Sequence, residues 1–432
     1  MSDLALEALV GPGKADHTEP PWRAQARTLG ATWLAEHPMP TRRDESWRYT
    51  PVDQVISAIA DVARPASTVD VTSDAIDALV GVHDGPRLVF VNGGFHPGSS
   101  QLTPLDGVDL APLSSMTEHP DADAVQCTPE PDRLNGFTAL NGLAGDDGAS
   151  VRVRAGAAPT VSVHLVHVSV PEADQPIITH PASAIVIEAG AHASIIESYV
   201  AVGGAPLTNA STVIDVADHG QLTYHRVQTE PAEAVHIGYV RIRLAAHARA
   251  HARSLSIGAR ISRVELDVSA DGDHASIDVE GLYVPNDRQQ HDHVITIDHI
   301  GSHTRSNQRF KGVVDGHARG AFTGKIVVRP GTTDTEAHQA NDSLVLTPHA
   351  QSDTRPWLEI LADDVRCTHG ATIGRLDDQS LFYLRSRGIP LAEARRILID
   401  AFSSSITEAI EPESLRSHLS EQITKARAQG SP

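Results

Sequence analysis

Cysteine is scarce in this sequence, which limits how the fold can be held together. The two cysteines among 432 residues, Cys127 and Cys367, are too few for a disulfide framework and favour a reducing compartment. The opening residues, MSDLALEALVGPGK, contain acids and no basic leader, and no later stretch reaches about eighteen uninterrupted apolar residues. We therefore expect a cytoplasmic protein that has no membrane partner.

Positive charge and aromatic side chains are also in short supply. The 35 Lys and Arg residues against 55 Asp and Glu residues give a net charge of −20 at pH 7. A field of this sign repels phosphate backbones, so we expect no nucleic-acid partner. Aromatic residues make up 4% of the chain, which suits a core of stacked small and β-branched side chains.

The motifs of common nucleotide-dependent and hydrolytic enzymes are missing. Gly324-Lys325 comes nearest to a phosphate-binding loop, but Arg319 stands where that loop needs glycine, and Ile326 replaces its Mg²⁺-binding Ser or Thr. The sequence contains no G-x-S-x-G elbow, no H-E-x-x-H pair and no paired C-x-x-C. We expect that the chain itself binds no nucleotide.

The residue pattern divides the chain into three regions. Residues 1–110 mix helical and extended segments, including a helix predicted over Pro21 to Glu36, and are predicted to form an N-terminal α/β appendage. Residues 111–375 begin with an acidic, proline-rich stretch and continue as the predicted β-rich core. Residues 376–432 are predicted to form a C-terminal helical domain, whose three helices begin near Asp377, Pro390 and Glu413.

A repeat with the period of one solenoid coil follows residue 149. Runs such as TVSVHLVHVSV and YVRIRLAA alternate between apolar and polar residues, as half-buried strands do. Short segments of small residues that include a histidine recur at separations of 27, 28, 27 and 29 residues, namely at His192, His219, His247, His274 and His303. This period and about 200 residues of alternation without a helix predict a mainly β fold with a β-solenoid core; a β-sandwich is the alternative.

One pair of residues stands out as potential ligands. Cys367 and His369 are two apart, so in an extended segment their side chains share a face, and a thiolate with an imidazole suits zinc, iron or an iron-sulfur cluster. Two ligands are too few for a cluster, so sulfide, an added thiol or another subunit has to complete the site. The alternative is that both side chains only pack. Cys127 lies at no metal-ligand spacing and is expected to be a loop thiol without function.

Three further histidines support a rival hypothesis. His291, His293 and His299 have equal parity on a predicted strand and can converge on a metal, as in an independent β-solenoid metalloenzyme binding Zn²⁺ or Fe²⁺. The chain contains 24 histidines, however, so such clusters arise readily by chance. Solvated histidines, or histidines that cap the core, are the simpler interpretation.

Long stretches around Cys367 resemble a known family. Residues Asn341 to Ile389, with the elements LEI, DDV-x-C, H-G-A-T and L-F-Y-L-R-S-R-G-I, closely resemble the SufB/SufD family of iron-sulfur cluster assembly proteins. The resemblance extends to Gln339-Ala340-Asn341 and upstream through NQRFKGVVDGHARGAFTGKIVV and FTALNGLAGDDGASVRVRAG. PTRRDESWRYTPV, His369-Gly370-Ala371 and the absence of the N-terminal cysteines of SufB indicate the SufD branch.

The resemblance implies a fold, partners and roles for individual residues. The fold would be a right-handed parallel β-helix with a helical C-terminal domain. The chain would be a non-catalytic scaffold in a SufBCD-type complex that pairs through its β-helix with a SufB-like paralogue, or with itself when alone. A SufC-like ATPase would dock on helical residues Leu381 to Phe402. A transient iron-sulfur cluster would form at the SufB interface beside His369, the first candidate, and Cys367, the second.

Overall fold

Strands make up most of the chain between residues 148 and 374. The computed structural model describes residues 21–60, 69–118, 127–145, 147–171 and 176–429. Two sheets, each of ten strands, face one another, and the chain passes from one to the other in about seven successive coils. The prediction of a mainly β protein with a parallel β-helix core is confirmed.

The two sheets have the following strands. The first sheet contains, in spatial order, β2 (Gly94–Phe95), β1 (Arg87–Val91), β5 (Val163–Ser169), β8 (His192–Ala201), β10 (Gln221–Gln228), β12 (Arg249–Ile257), β14 (Ser276–Val284), β16 (Arg305–Val314), β18 (Thr335–Val345) and β20 (Val365–Gly374). The second sheet contains β19 (Gln351–Ile360), β17 (Arg319–Val328), β15 (Gln290–His299), β13 (Ile261–Ala270), β11 (Val235–Leu244), β9 (Leu207–Val216), β7 (Ala182–Ile187), β4 (Gly148–Val153) and β3 (Val108–Pro112), with β6 (Ile178–Thr179) paired to β9.

Successive coils stack in parallel and in register. Gln221 pairs with Arg249, Arg249 with Ser276, and Ser276 with Arg305, so one coil spans 27 to 29 residues at these positions. Because equal positions lie above one another, each inward-facing residue belongs to a column that runs along the solenoid. The repeat predicted from the sequence is therefore real.

Four of the recurring histidines occupy one turn position in successive coils. His219, His247, His274 and His303 have φ angles of 58° to 61°, and their rings stack in parallel at centroid distances of 4.6 to 4.7 Å. The N–H of each turn residue donates to the next coil, as from His247 to the Asp273 carbonyl oxygen at 2.8 Å. His192 does not belong to this series, because it begins strand β8; Gly190, with a φ of 66°, holds the equivalent turn position.

The interior contains buried charge as well as apolar columns. The carboxylate of Glu197 on β8 is fully buried and accepts hydrogen bonds from Ser183 at 2.6 Å, Thr212 at 2.8 Å and His167 at 3.2 Å, and a further one from Tyr224. Burial by itself raises the pKa of Glu197, but these hydrogen bonds and the nearby His167 outweigh it and lower the pKa to about 2. Glu197 is therefore ionised inside the β-helix at neutral pH.

In the part of the chain that the structure describes, seven α-helices flank the β-helix. They are α1 (Pro21–Glu36), α2 (Val52–Ala60), α3 (Ser73–Val80), α4 (Gly136–Ala144), α5 (Asp378–Ser386), α6 (Leu391–Thr407) and α7 (Glu413–Gln429). The predicted helix over Pro21 to Glu36 and the three predicted C-terminal helices are confirmed, and Asp377 caps α5 by accepting the N–H of Ser380. None of the helices in the described ranges is both long and apolar enough to cross a bilayer.

The helices cover apolar stripes on the outer faces of the sheets. Ile399 and Ile406 of α6 and Leu419 of α7 belong to one buried cluster with outward-facing residues of the first sheet, such as Leu255 and Leu282. On the other side, helices α2 and α4 belong to a cluster with β9, β11 and β13 of the second sheet. Helices α6 and α7 are thus packed along the solenoid.

The segment PTRRDESWRYTPV, from Pro40 to Val52, is attached to the outer face of the second sheet. Trp47 stacks on the guanidinium of Arg263 at 3.7 Å, and Arg263 donates to Asp292 at 2.6 Å. Thr50 also donates to Asp292, and Glu45 pairs with Arg355 on β19. Since strands β1 and β3 also join the sheets, part of the region 1–110 is integrated with the β-helix; the predicted domain boundaries stay predictions.

We predict that Glu197→Gln destabilises the protein by about 3 kcal/mol, because it leaves the hydrogen-bond donors around Glu197 facing a neutral amide in a dry interior. The folded pKa of Glu197 lies below its unfolded value of about 4.3. The stabilisation of the folded state by the ionised Glu197 carboxylate is therefore present at neutral pH and is lost as the pH falls from about 4 towards 2. Urea unfolding at several pH values measures both effects.

The control is Glu336→Gln, which changes a surface carboxylate paired with Arg305 and should leave the unfolding midpoint nearly unchanged. Equal stability of Glu197→Gln and the unmodified protein at neutral pH would contradict the prediction.

Candidate functional site

Cys367 and His369 lie on β20, the last strand of the first sheet. Their register partners on β18 are Ala337 and Gln339. Thr368, between them, contacts His338 on the outer face at 2.8 Å, so Cys367 and His369 face the interior of the β-helix. No strand in the described ranges continues the sheet beyond β20, so these inward-facing side chains stand at an open end.

The two side chains differ in their exposure. Cys367 is half-buried and packs with Ala337, Leu358 and Ile360, whereas His369 is exposed. Burial raises the pKa of the Cys367 thiol, and a hydrogen bond with the backbone of Ala337 opposes this only in part. The thiol is therefore protonated at neutral pH, and a metal or sulfur species has to displace that proton to bind.

The pair alone does not form a complete metal site. Two alternate positions on a strand are about 6–7 Å apart, so a sulfur atom and a ring nitrogen on one face can both reach a bridging ligand. Among the described residues there is no group of three or more His, Cys, Asp or Glu side chains that could hold a metal ion. Further ligands for Cys367 and His369 would have to come from a bound species or another chain.

The rival three-histidine metal site is wrong. His291, His293 and His299 do share the inward face of β15, but His291 and His299 are eight residues apart, which is about 26 Å along a strand. Each ring has its own hydrogen-bond partner: the Gly258 carbonyl oxygen at 2.6 Å for His291, Ser256 at 3.2 Å for His293, and Thr304 at 2.7 Å for His299.

The electrostatics agree with an interior role for these three histidines. Burial lowers the pKa of His291 and His299 to about 4 and lowers that of His293 well below its ordinary value. The rings are therefore neutral at physiological pH and serve as packed, hydrogen-bonded core residues.

Cys127 is part of the core. It is 3% exposed and clusters with Trp22, Leu113 and Ala182. Burial raises the pKa of its thiol to about 12, so it is neither a nucleophile nor a ligand at neutral pH. The sequence placed this residue in a loop, which is correct, but did not indicate that the side chain of Cys127 is buried.

Sequence reasoning missed the residues directly behind His369. Gln339 is its register partner, and the Gln339 amide nitrogen donates to Gln308 on the coil before. Gln339 was noted only as part of a resemblance, because a single glutamine has no motif or spacing that marks it. Only the register of the coils places it behind the ligand pair.

Comparison with known proteins identifies the family of the chain. The family model for the SUF system FeS cluster assembly SufBD core domain matches residues 170–402, which include β6 to β20 and most of α6. The SufD iron-sulfur cluster assembly protein of Escherichia coli is 30% identical over 388 residues, which cover 89% of this chain and 88% of that protein. The chain belongs to the SufB/SufD family of iron-sulfur cluster assembly proteins.

Other relatives agree with this assignment. A SufBD family protein of Synechocystis is 30% identical over 433 residues, covering 98% of this chain and 95% of the relative. The SufD protein of Bacillus subtilis is 24% identical over 421 residues, covering 93% of each. The matches to SufD proteins place the chain on the SufD branch, with a role in iron-sulfur cluster assembly. The recognition made from the motifs around Cys367 is confirmed.

We predict that a thiol reagent such as dithionitrobenzoate labels Cys367 and spares Cys127 in the native protein, because only Cys367 reaches the surface. Unfolding should raise the number of reactive thiols from one to two. Since burial raises the pKa of Cys367, its labelling should be slower at neutral pH than that of a free thiol and should accelerate as the pH rises.

Cys367→Ser is the matched control and should leave no rapidly labelled thiol. Two reactive thiols in the native protein would contradict the described burial of Cys127.

Proposed function

We propose that this chain is the SufD-like, non-catalytic scaffold subunit of a SufBCD-type complex. The observation that carries the proposal is the position of Cys367 and His369, two ligand-type side chains that face an open end with no third ligand among the described residues. A half-site of this kind suits one member of a pair of scaffolds. A SufB-like subunit would supply the remaining ligands for a transient iron-sulfur cluster, the cargo of the complex.

The shape of the open end supports pairing with a second β-helix. The outer edges of β19 and β20 have unpaired backbone groups, and an exposed sheet edge of this length favours pairing with another strand. Large apolar side chains lie nearby, with Leu361 49% exposed and Ile373 53% exposed. A SufB-like paralogue with its own β-helix would continue both sheets, and a second copy of this chain is the alternative when SufB is absent.

The C-terminal helices support the docking of a SufC-like ATPase. On α5, Phe382 is 75% and Tyr383 is 58% exposed, and Leu391 at the start of α6 is 47% exposed. Exposed aromatic side chains on a rigid helix are typical anchors of protein interfaces. The buried side of α6, including Ile399 and Ile406, is packed against the first sheet instead. Within Leu381 to Phe402, the proposed docking surface therefore consists of the exposed side chains only. ATP hydrolysis would be carried out by the partner.

In a reconstituted SufBCD-type complex, we predict that His369→Ala lowers cluster formation by at least about tenfold, because a ligand is removed from the shared site. The rate is followed by visible absorption under anaerobic conditions, and the intact complex is verified by size-exclusion chromatography. Cys367→Ser should have an equal or smaller effect.

His338→Ala is the matched control, because this exposed histidine lies on the outer face next to Thr368 and away from the interior. Normal cluster formation by an intact His369→Ala complex would favour the alternative in which Cys367 and His369 only pack.

We also predict that Phe382→Ser weakens binding of the SufC-like ATPase by about thirtyfold, the loss expected for an interface anchor worth about 2 kcal/mol. Isothermal titration calorimetry with the purified chain measures this change. Since Phe382 is largely exposed, the thermal unfolding midpoint should not fall.

Lys425→Ala, a change at an exposed position on α7, is the control and should bind normally. Unchanged affinity of Phe382→Ser would place the ATPase elsewhere.

A further inference from the structure

Two buried amides lie immediately behind the open end of the β-helix. Gln308 on β16 and Gln339 on β18 are register partners and are 0% and 3% exposed. The Gln339 Nε2 donates to the Gln308 Oε1. Gly324 on the opposite sheet makes room for them, because a Cβ atom there would lie 1.8 Å from Gln339 Nε2. The amide pair is thus confined between the two sheets.

Each amide of this pair has one buried atom without a partner. Gln339 Oε1 and Gln308 Nε2 make no hydrogen bond to any described residue. A buried carbonyl oxygen without a donor costs about 1–3 kcal/mol, so such atoms are rare in folded proteins. Gln339 Oε1 is therefore expected to accept a hydrogen bond from a group that reaches it from the open end.

The register of the coils identifies a candidate for that group. The amide nitrogen of Gln339 is held by Gln308 on the preceding coil, which leaves its oxygen available to a donor from elsewhere. The register partner of Gln339 on the following coil is His369, whose Cα lies one strand spacing away, about 4.8 Å. The ring of His369 makes no hydrogen bond to another described residue and is free to turn towards this oxygen.

Other buried donors have to be considered. Thr354 Oγ1 on β19 and Asn341 Nδ2 on β18 also have no partner among the described residues. The residue that stacks on Gly324, opposite the amides, is Pro356, which has no donor, whereas Thr354 stacks on Phe322 two positions away. Asn341 lies two positions along the strand from Gln339, about 6–7 Å away, and its Oδ1 accepts from Tyr283. The register, which places His369 one strand spacing from Gln339, therefore favours His369 over both Thr354 and Asn341.

We propose that Gln339 Oε1 accepts a hydrogen bond from one ring N–H of His369 and so positions the imidazole as a ligand. A neutral imidazole has one donor and one acceptor nitrogen, so this bond selects one tautomer and leaves the other nitrogen free to bind metal. Gln339 is then a positioning residue, and Gln308 holds its amide in the required orientation. The ligand part of this proposal rests on the function proposed above for His369.

The hydrogen bond can be tested in the isolated full-length chain without any cluster. Histidine labelled with ¹⁵N reports the tautomer of each ring by NMR at a pH above the ordinary imidazole pKa, and the loss of a signal in His369→Ala assigns His369. We expect a single tautomer in the unmodified protein and a mixture in Gln339→Met, which is similar in size but has no oxygen. Gln339→Glu, which keeps an acceptor, should restore the single tautomer.

Two further variants keep the test decisive. Gln308→Met keeps Gln339 but allows its amide to turn over, so a partial loss of the single tautomer is expected even if Gln339→Met does not fold. Thr354→Val should leave the His369 tautomer unchanged. A His369 tautomer that is the same in the unmodified protein, Gln339→Met and Gln308→Met would overturn the proposal.

The second arm measures cluster formation in the reconstituted complex. Gln339→Met should slow it about tenfold, the effect expected when the group that orients a metal-bound histidine is lost, and Gln339→Glu should restore most of the rate. Should His369→Ala leave the rate normal while Gln339→Met changes the tautomer, the proposed function fails but the hydrogen bond stands. Should His369→Ala abolish assembly while Gln339→Met leaves tautomer and rate unchanged, only the role of Gln339 fails.

Discussion

The in-register stacking of parallel coils is the constraint on which the rest of the structure depends. The backbone of each strand forms hydrogen bonds along its whole length with the equivalent strand of the next coil. Residues at the same position in successive coils are therefore neighbours. This produces the apolar columns of the core and the stack of turn histidines. It also determines which side chains arrive at the end of the solenoid, where Cys367 and His369 stand on the last strand of their columns.

The same constraint explains how polar groups are accommodated inside the β-helix. Glu197 is surrounded by four donors from neighbouring coils, and Gln308 and Gln339 bond to one another beside a glycine that provides the space. Each of these groups is costly to bury alone and acceptable only with its partners. The interior is therefore a mixture of apolar packing and local polar networks, and the network nearest the open end lies one strand away from Cys367 and His369.

Much of the architecture could be predicted from the sequence, because period and motif are local properties. The coil length, the β-helix core and the helices from Pro21 and after Asp377 follow from alternation, spacing and capping residues. The placement of His192 and the register partnership of Gln339 with His369 could not be predicted. Both depend on register, which sets the distance between residues far apart in the chain and leaves no mark at a single position. The separation of His291 from His299, by contrast, follows from the rise of a single strand and could have been read from the sequence.

The open end has a consequence for the local stability of the molecule. In a solenoid each coil is stabilised mainly by its immediate neighbours, so an interior coil is supported from two sides and the terminal coil from one. The strands β19 and β20, which include Cys367 and His369, are therefore expected to open locally at a lower free energy than the interior coils. Cys367 and His369 are thus located where contact with another chain would add more order than it would at an interior coil.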